Sequence, residues 1–298
     1  MTPRIIMNDF FKYLNPSQED KNWGMHLAVF GKYTSHPNQA YPQPNHPNEY
    51  FFSWEKGRTL NEYQIILITQ GEGTIETQKG TFFIETGSIL IIRKNEWHRY
   101  QPNPQTGWVE LFVGFNGILA DHFLRKTQVL KGQTVINCGF SELIYQTYSR
   151  LFNIASKEFP GSQHVASSCI IELLANIASW EKQKQFTNKP IEQIIEHTKL
   201  LMRENIYGEI NLEQIANNHH VTYSYLRRMF KDYTGIAPHK YFIDMKIIHS
   251  KELLITSNLT VKEVSYRMGF SSEHYFSRLF KQKTGLLPSD LKINSKSE

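Results

Sequence analysis

Ser224, Arg227, Arg228 and Lys231 stand at i, i+3, i+4 and i+7, and His274, Ser277, Arg278 and Lys281 repeat that arrangement about fifty residues later. If both stretches are helical, each set forms one stripe with Arg near its middle and Lys towards its end. Such a stripe fits a DNA major groove, where Arg can donate two bonds to guanine O6 and N7 while Lys neutralises a phosphate. A basic face on a helix is often simply a solvated face, so one copy would decide little. Two copies in tandem point to a shared use.

The elements that must position these side chains are themselves duplicated. YLRRMFKDYTGIAP (225–238) and YFSRLFKQKTGLLP (275–288) share an aromatic, an Arg, a Phe-Lys pair, a Thr-Gly and a Pro. Upstream, NLEQIANNHHVT (211–222) matches TVKEVSYRMGFS (260–271), so the repeat covers two helices and a turn. Asn211 with Gln214 and Thr260 with Glu263 form capping patterns for the first helices. Gly269 falls at the turn of the second copy, where a left-handed backbone is cheap only for Gly; His220 holds the matching place in the first, at an expected cost in stability. Thr222 and Ser271 are the expected N-caps of the second helices, Gly235 and Gly285 their stops, and Pro238 and Pro288 the first residues of the segments after them. Leu226, Phe230 and Tyr233 in one copy, and Phe276 and Phe280 in the other, mark the buried faces. Between the copies, PHKYFIDMKIIHSKELLITS (238–257) reads as a single helix with Phe242, Met245 and Ile248 on a stripe. Twenty helical residues span ~30 Å, close to the ~34 Å of one DNA turn, so a stiff connector could set both recognition helices in successive major grooves. Because Ser224 and Arg227 differ from His274 and Ser277, the two half-sites should differ in sequence.

This pair of motifs, above all GFSSEHYFSRLFKQKTGLLP, closely resembles the tandem helix-turn-helix domain of the AraC/XylS transcription regulators over about residues 191–292. The resemblance implies that Ser224, Arg227, Arg228, His274 and Arg278 approach bases, and that the protein contacts RNA polymerase in activating transcription.

Up to about Gly117 the chain is different in kind. EYQIILITQGEGTIET, GTFFIETGSILIIRKNEWHRY and GWVELFVGFNG are short aromatic and β-branched runs cut by Gly, Pro and Asn, the pattern of an antiparallel sandwich or barrel. From about Ile118 to Lys184 the period turns helical. The stripe Val165, Cys169, Leu173, Ile177 can pack on its own barrel, on a partner helix of a homodimer, or on both. KQKQFTNKP (182–190) is the best linker candidate. The expected fold is therefore α+β: an N-terminal β-barrel with appended helices over 1–186, and an all-α tandem helix-turn-helix domain over 187–298.

Over roughly residues 20–118 the β-rich part resembles the cupin-like, sugar-sensing domains of arabinose-type regulators in the same family. That likeness matches Tyr100, Glu110 and Phe112 to ligand-contacting positions and puts Arg58 near the pocket arginine, with Lys56 as an alternative. Tyr63, Trp97, His98 and Trp108 are further candidates, since aromatic faces suit the C–H surface of a sugar. Cupins also include metal enzymes, whose first motif needs two His and a Glu between glycines. Here the stretch after Gly71 and Gly73 contains no His, and only His98 falls where a last ligand would be. One ligand does not hold a metal, so neither metal, cofactor nor catalysis is expected.

Composition agrees with a DNA-binding regulator without requiring one. The net charge of +5 is concentrated at the C-terminal end, where 16 Lys/Arg face 12 Asp/Glu from Thr187 onward. No apolar run approaches ~18 residues, and the first residues are too polar for a secretory signal, so a cytoplasmic protein without a membrane partner is expected. Cys138 and Cys169 are too few for a disulfide framework or a thiolate metal site. The expected function is a sequence-specific, sugar-responsive transcription activator. A ligand-independent regulator with a dimerising barrel, and a cupin enzyme fused to a DNA-binding domain, are the alternatives.

Overall fold

The computed structural model describes residues 8–42, 52–127, 130, 132–139, 141–187 and 189–294. The first seven residues of the N-terminal segment and Asn188 of the proposed linker lie outside the described residues. The chain divides into two compact units, Met1–Lys184 and Gln185–Glu298.

The first unit contains strands β1 (Phe10–Tyr13), β2 (His26–Ser35), β3 (Arg58–Thr59), β4 (Tyr63–Gly71), β5 (Gly73–Thr77), β6 (Gly80–Ile84), β7 (Ser88–Ile92), β8 (Trp97–Pro102), β9 (Trp108–Asn116) and β10 (Val135–Asn137). Its helices are α1 (Gln18–Asn22), α2 (Ile118–Asp121), which continues into a π-helical turn at His122–Lys126, α3 (Glu142–Lys157) and α4 (Ser162–Lys184). Two antiparallel sheets, ordered β1-β2-β9-β4-β7-β10 and β3-β8-β5-β6, face each other. The short strand β10 interrupts the region read from sequence as purely helical.

Period-two alternation along β9 explains how one strand serves two cores. Trp108 and Phe112 join Ile66, Ile68, Ile75 and Tyr100 between the sheets. Leu111, Val113 and Phe115 point the other way, into a cluster with Tyr148, Phe152, Cys169, Leu173 and Ile177 of α3 and α4. The apolar stripe of α4 therefore packs on its own domain, except for Val165, which is 40% exposed. Polar contacts fix the docking: the Tyr148 hydroxyl donates to the Ile65 carbonyl at 2.9 Å, and the Gln163 amide bonds both the N–H and the carbonyl of Leu27 at 3.0 Å. Both cysteines are buried and free.

The second unit contains α5 (Pro190–Glu204), α6 (Leu212–Asn218), α7 (Tyr223–Thr234), α8 (Pro238–Thr256), α9 (Val261–Arg267), α10 (Glu273–Thr284) and α11 (Pro288–Asn294). Phe186, read from sequence as the end of the first domain, packs edge-on against Tyr233 in this unit. Leu226, Phe230, Phe276 and Phe280 are fully buried in its core. The duplication is physical as well as textual. In each copy the turn closes with the same long backbone bond, Val221 N–H to Ala216 and Phe270 N–H to Ser265, both at 3.1 Å, with a left-handed residue between, His220 or Gly269. Thr234 and Thr284 each donate to the carbonyl four residues back, at 2.8 Å, before the left-handed caps Gly235 and Gly285.

Two sequence readings need correction. The N-cap of α10 is Ser272, not Ser271; its hydroxyl accepts from the Tyr275 N–H at 3.2 Å. On α8 the buried residues include Phe242, Lys246, Ile247, Ser250 and Leu254, whereas Ile248 is 62% exposed. The buried row advances in steps of four and contains a Lys and a Ser, which hydropathy alone would assign to solvent.

Candidate ligand pocket and nucleic-acid interface

Register places the interior of the sandwich residue by residue. Tyr33 pairs with Glu110, which pairs with Ile68; Ser35 pairs with Trp108; and Gly31 pairs with Phe112. Cross-strand partners share a face, so Tyr33, Ser35, Trp108, Glu110 and Phe112 line one inner surface. From the opposite sheet, β8 presents His98 and Tyr100 inward, while β3 adds Arg58 beside His98. Phe52 and Tyr41 complete an aromatic cage: the Tyr41 ring lies 5.5–6.5 Å from those of Tyr33, Phe52, Tyr100 and Trp108.

Charge inside this cage is closely managed. Arg58 donates from Nε to His98 Nε2 at 3.2 Å and from Nη2 to the Tyr100 hydroxyl at 2.5 Å, with its guanidinium carbon 4.9 Å from the Phe52 ring centre. His98 Nδ1 lies 2.9 Å from the Glu96 carbonyl, which fixes the tautomer with Nδ1 as donor and Nε2 as acceptor. Burial, aided by the Arg58 charge, lowers the His98 pKa to about 4, so the ring is neutral at neutral pH. Burial also raises the Glu110 carboxyl to about 8, although the Tyr41 hydroxyl, 3.2 Å from both carboxyl oxygens, and the Arg58 charge pull it down. At pH 7 this carboxyl is largely protonated and can both donate and accept. Trp108 Nε1 and Ser35 Oγ, by contrast, are buried with no hydrogen-bond partner among the described residues. Groups of that kind cost about 1–3 kcal/mol each when left unmade.

The structure thus brings Arg58, His98, Tyr100, Trp108, Glu110 and Phe112 together. Tyr63 does not join them: it lies in the cluster on the helix-covered face and donates to Asp121. Because β4 is buried on both faces, its sequence carries no alternation to tell which side Tyr63 takes. Trp97 also points outward, donating to the Lys56 carbonyl, and Lys56 itself is exposed. Sequence reasoning missed Tyr33, Ser35, Tyr41 and Phe52. Tyr33 and Ser35 could have been found from their alternation on β2; Tyr41 and Phe52 lie off the strands and carry no such signal. Among the described residues, no three His, Cys, Asp or Glu side chains converge as metal ligands would.

In the second unit, Ser224, Arg227, Arg228 and Lys231 on α7 are exposed, as are His274, Arg278 and Lys281 on α10; Ser277 is half-buried. Each central Arg leans on an aromatic ring one turn back, Arg228 at 5.6 Å from the Tyr225 centre and Arg278 at 5.7 Å from that of Tyr275. The same cation–aromatic contact thus recurs at the matching position of both copies.

Comparison with known proteins bears on both units. Residues 28–174 match the family model of an AraC-like ligand binding domain, and residues 215–293 match that of a helix-turn-helix domain. The chain is 22% identical, over 72% of its length and 77% of the other's, to the lactose operon transcription activator of Staphylococcus xylosus. It is 23% identical, over 78% of its length and 85% of the other's, to the Msm operon regulatory protein of Streptococcus mutans. A solved regulator with an AraC-type DNA-binding domain from Chromobacterium violaceum is similar at 24% identity and a TM-score of 0.33, covering 35% of this chain and 93% of that one.

Proposed function

Because the chain belongs to the AraC family of transcription regulators, with a helix-turn-helix domain and a ligand-binding domain, we propose that it is a cytoplasmic activator whose effector is a sugar held between the sheets of the first unit. The observation that carries this reading is the unfinished polar cage. Trp108 Nε1 and Ser35 Oγ lack partners among the described residues, inside a wall of aromatic rings, while Glu110 and Arg58 supply further hydrogen bonds. A polyhydroxylated ligand would satisfy those groups and lay its C–H faces on Tyr100, Phe112 and Trp108. The similar Staphylococcus protein is named for a lactose operon, which supports a sugar and an activating role. On the DNA side, Arg227, Arg228, Arg278 and His274 read base edges together with Ser224 and Ser277, and Lys231 and Lys281 neutralise phosphates. RNA polymerase and a second copy of the chain are the protein partners this reading assigns. Ligand binding shifts the population of conformations that occupy DNA productively.

The test is a thermal-shift screen of the full-length chain against mono- and disaccharides, followed by transcription from a selected operator. A ligand that binds only the folded state raises the melting temperature with concentration. Arg58→Ala and Glu110→Ala should abolish the rise, and Trp108→Phe, which removes the indole N–H but keeps an aromatic face, should weaken binding by roughly tenfold or less. No shift with any sugar, together with sugar-independent transcription, would sink the effector assignment in favour of a barrel used for assembly alone.

A further inference from the structure

Lys246, in the middle of α8, is only 3% exposed. A buried ammonium group is rare because leaving water costs several kcal/mol unless its donors are satisfied. Here Nζ donates to the Gly208 carbonyl at 2.5 Å and to the Met268 carbonyl at 2.7 Å. The rings of Phe242 and Phe270 lie 4.9 and 5.5 Å away, offering their π faces to the remaining charge. Among the described residues no carboxylate pairs with it at ion-pair distance, and burial draws its pKa down. One carbonyl lies just ahead of the first copy of the repeat, which begins at Asn211, and the other lies within the second. Gly208 lies in the turn leading from α5 towards α6, and Met268 caps the end of α9. Nearby, Arg267 lies 5.7 Å from the Tyr207 ring, and a Cβ on Gly269 would fall 2.9 Å from the Tyr207 carbonyl. The connecting helix therefore carries one side chain that ties the approach to the first copy to the turn of the second.

We propose that Lys246 is a positioning residue: by bonding the turn that leads into the first helix-turn-helix copy and the turn of the second, it fixes α7 relative to α10 and so sets the half-site spacing the chain accepts. This rests on the DNA-reading function of both copies. A residue this buried does not reach phosphate, so its effect on DNA is geometric rather than electrostatic.

The experiment uses the full-length chain and a duplex selected from a random library by the wild type, compared with versions carrying one base pair more or fewer between half-sites. Lys246→Met keeps the apolar stem and removes the donors. It should lower the preference for the selected spacing by roughly tenfold, within the range by which contacting residues are coupled. The salt dependence of binding should stay as in the wild type, and Lys246→Arg, which retains donors, should restore the preference. If Lys246→Met does not fold by circular dichroism, Lys246→Gln, with a shorter donor, is read in the same way. A folded variant that keeps full spacing preference, or that loses affinity equally for every spacing, overturns the proposal. If the wild type selects no two-part sequence, the DNA reading of the tandem copies falls with it.

Discussion

The two helix-turn-helix copies turn through the same backbone with different residues. His220 has φ 55° and Gly269 has φ 67°, and each is bridged by an equivalent backbone bond. The surroundings account for the difference. His220 is exposed, so its side chain is strained only by its own backbone. A Cβ on Gly269 would meet the Tyr207 carbonyl at 2.9 Å, Lys246 Nζ at 3.1 Å and the Gly208 carbonyl at 3.3 Å. The first turn is a local structure that tolerates a poor residue. The second is also an interface, built against the clamp on α8, and its glycine answers to tertiary packing as well as to φ.

The largest effect should come from closing that space. Gly269→Ala combines a left-handed alanine with contact against two backbone carbonyls, and should cost at least ~2 kcal/mol in urea denaturation of the full chain. A loss under ~0.5 kcal/mol would mean the second turn is as free as the first. Next come the two arginines. Arg228→Ala and Arg278→Ala should each cost about 1–3 kcal/mol of specific binding, relaxing base preference at one half-site and leaving the other unchanged. Footprints of the two variants on the selected operator check this. Equal losses on specific and random DNA would reduce both residues to phosphate contacts.

Much of the second unit was legible because its signals are local. Caps, left-handed stops and a helical period are written within a few residues of where they act, and Thr222, Gly235 and Gly285 fall where the sequence put them. The misses are where choice depends on distant neighbours. Ser271 and Ser272 are equally good caps in isolation, and nothing in their residue type tells which hydroxyl meets the Tyr275 N–H. Lys246 reads as a surface residue until Gly208 and Met268 are brought to it. The interior of the first unit was half legible for the same reason: the family resemblance implied Tyr100, Glu110 and Phe112, which the strand register of β8 and β9 turns inward, but β4 is buried on both faces and gives no sign that Tyr63 faces the helices. Tyr41 reaches the cage from a loop, beyond any periodicity.

The caps extend the comparison at smaller energies. Thr260 and Glu263 form a reciprocal box, with the Glu263 carboxylate 2.6 Å from the Thr260 N–H, whereas Asn211 only accepts from the Gln214 N–H at 2.9 Å. Thr260→Ala removes one side of a two-way arrangement and should cost about 1–2 kcal/mol, against about 1 kcal/mol or less for Asn211→Ala. Reversed magnitudes would show that the reciprocal bond adds nothing at an exposed helix start.

The smallest prediction has the opposite sign. A non-glycine residue in the left-handed region pays about 1–2 kcal/mol, and glycine recovers that while losing roughly 0.5–1 kcal/mol through the greater freedom of its unfolded chain. His220→Gly should therefore stabilise the protein by about 0.5–1 kcal/mol, seen as a higher urea midpoint with an unchanged slope. DNA affinity should not change, because the turn keeps the backbone it already has. If the variant is instead destabilised, the His220 side chain is making a contact that offsets its strain, and the first turn would resemble the second in being held from outside.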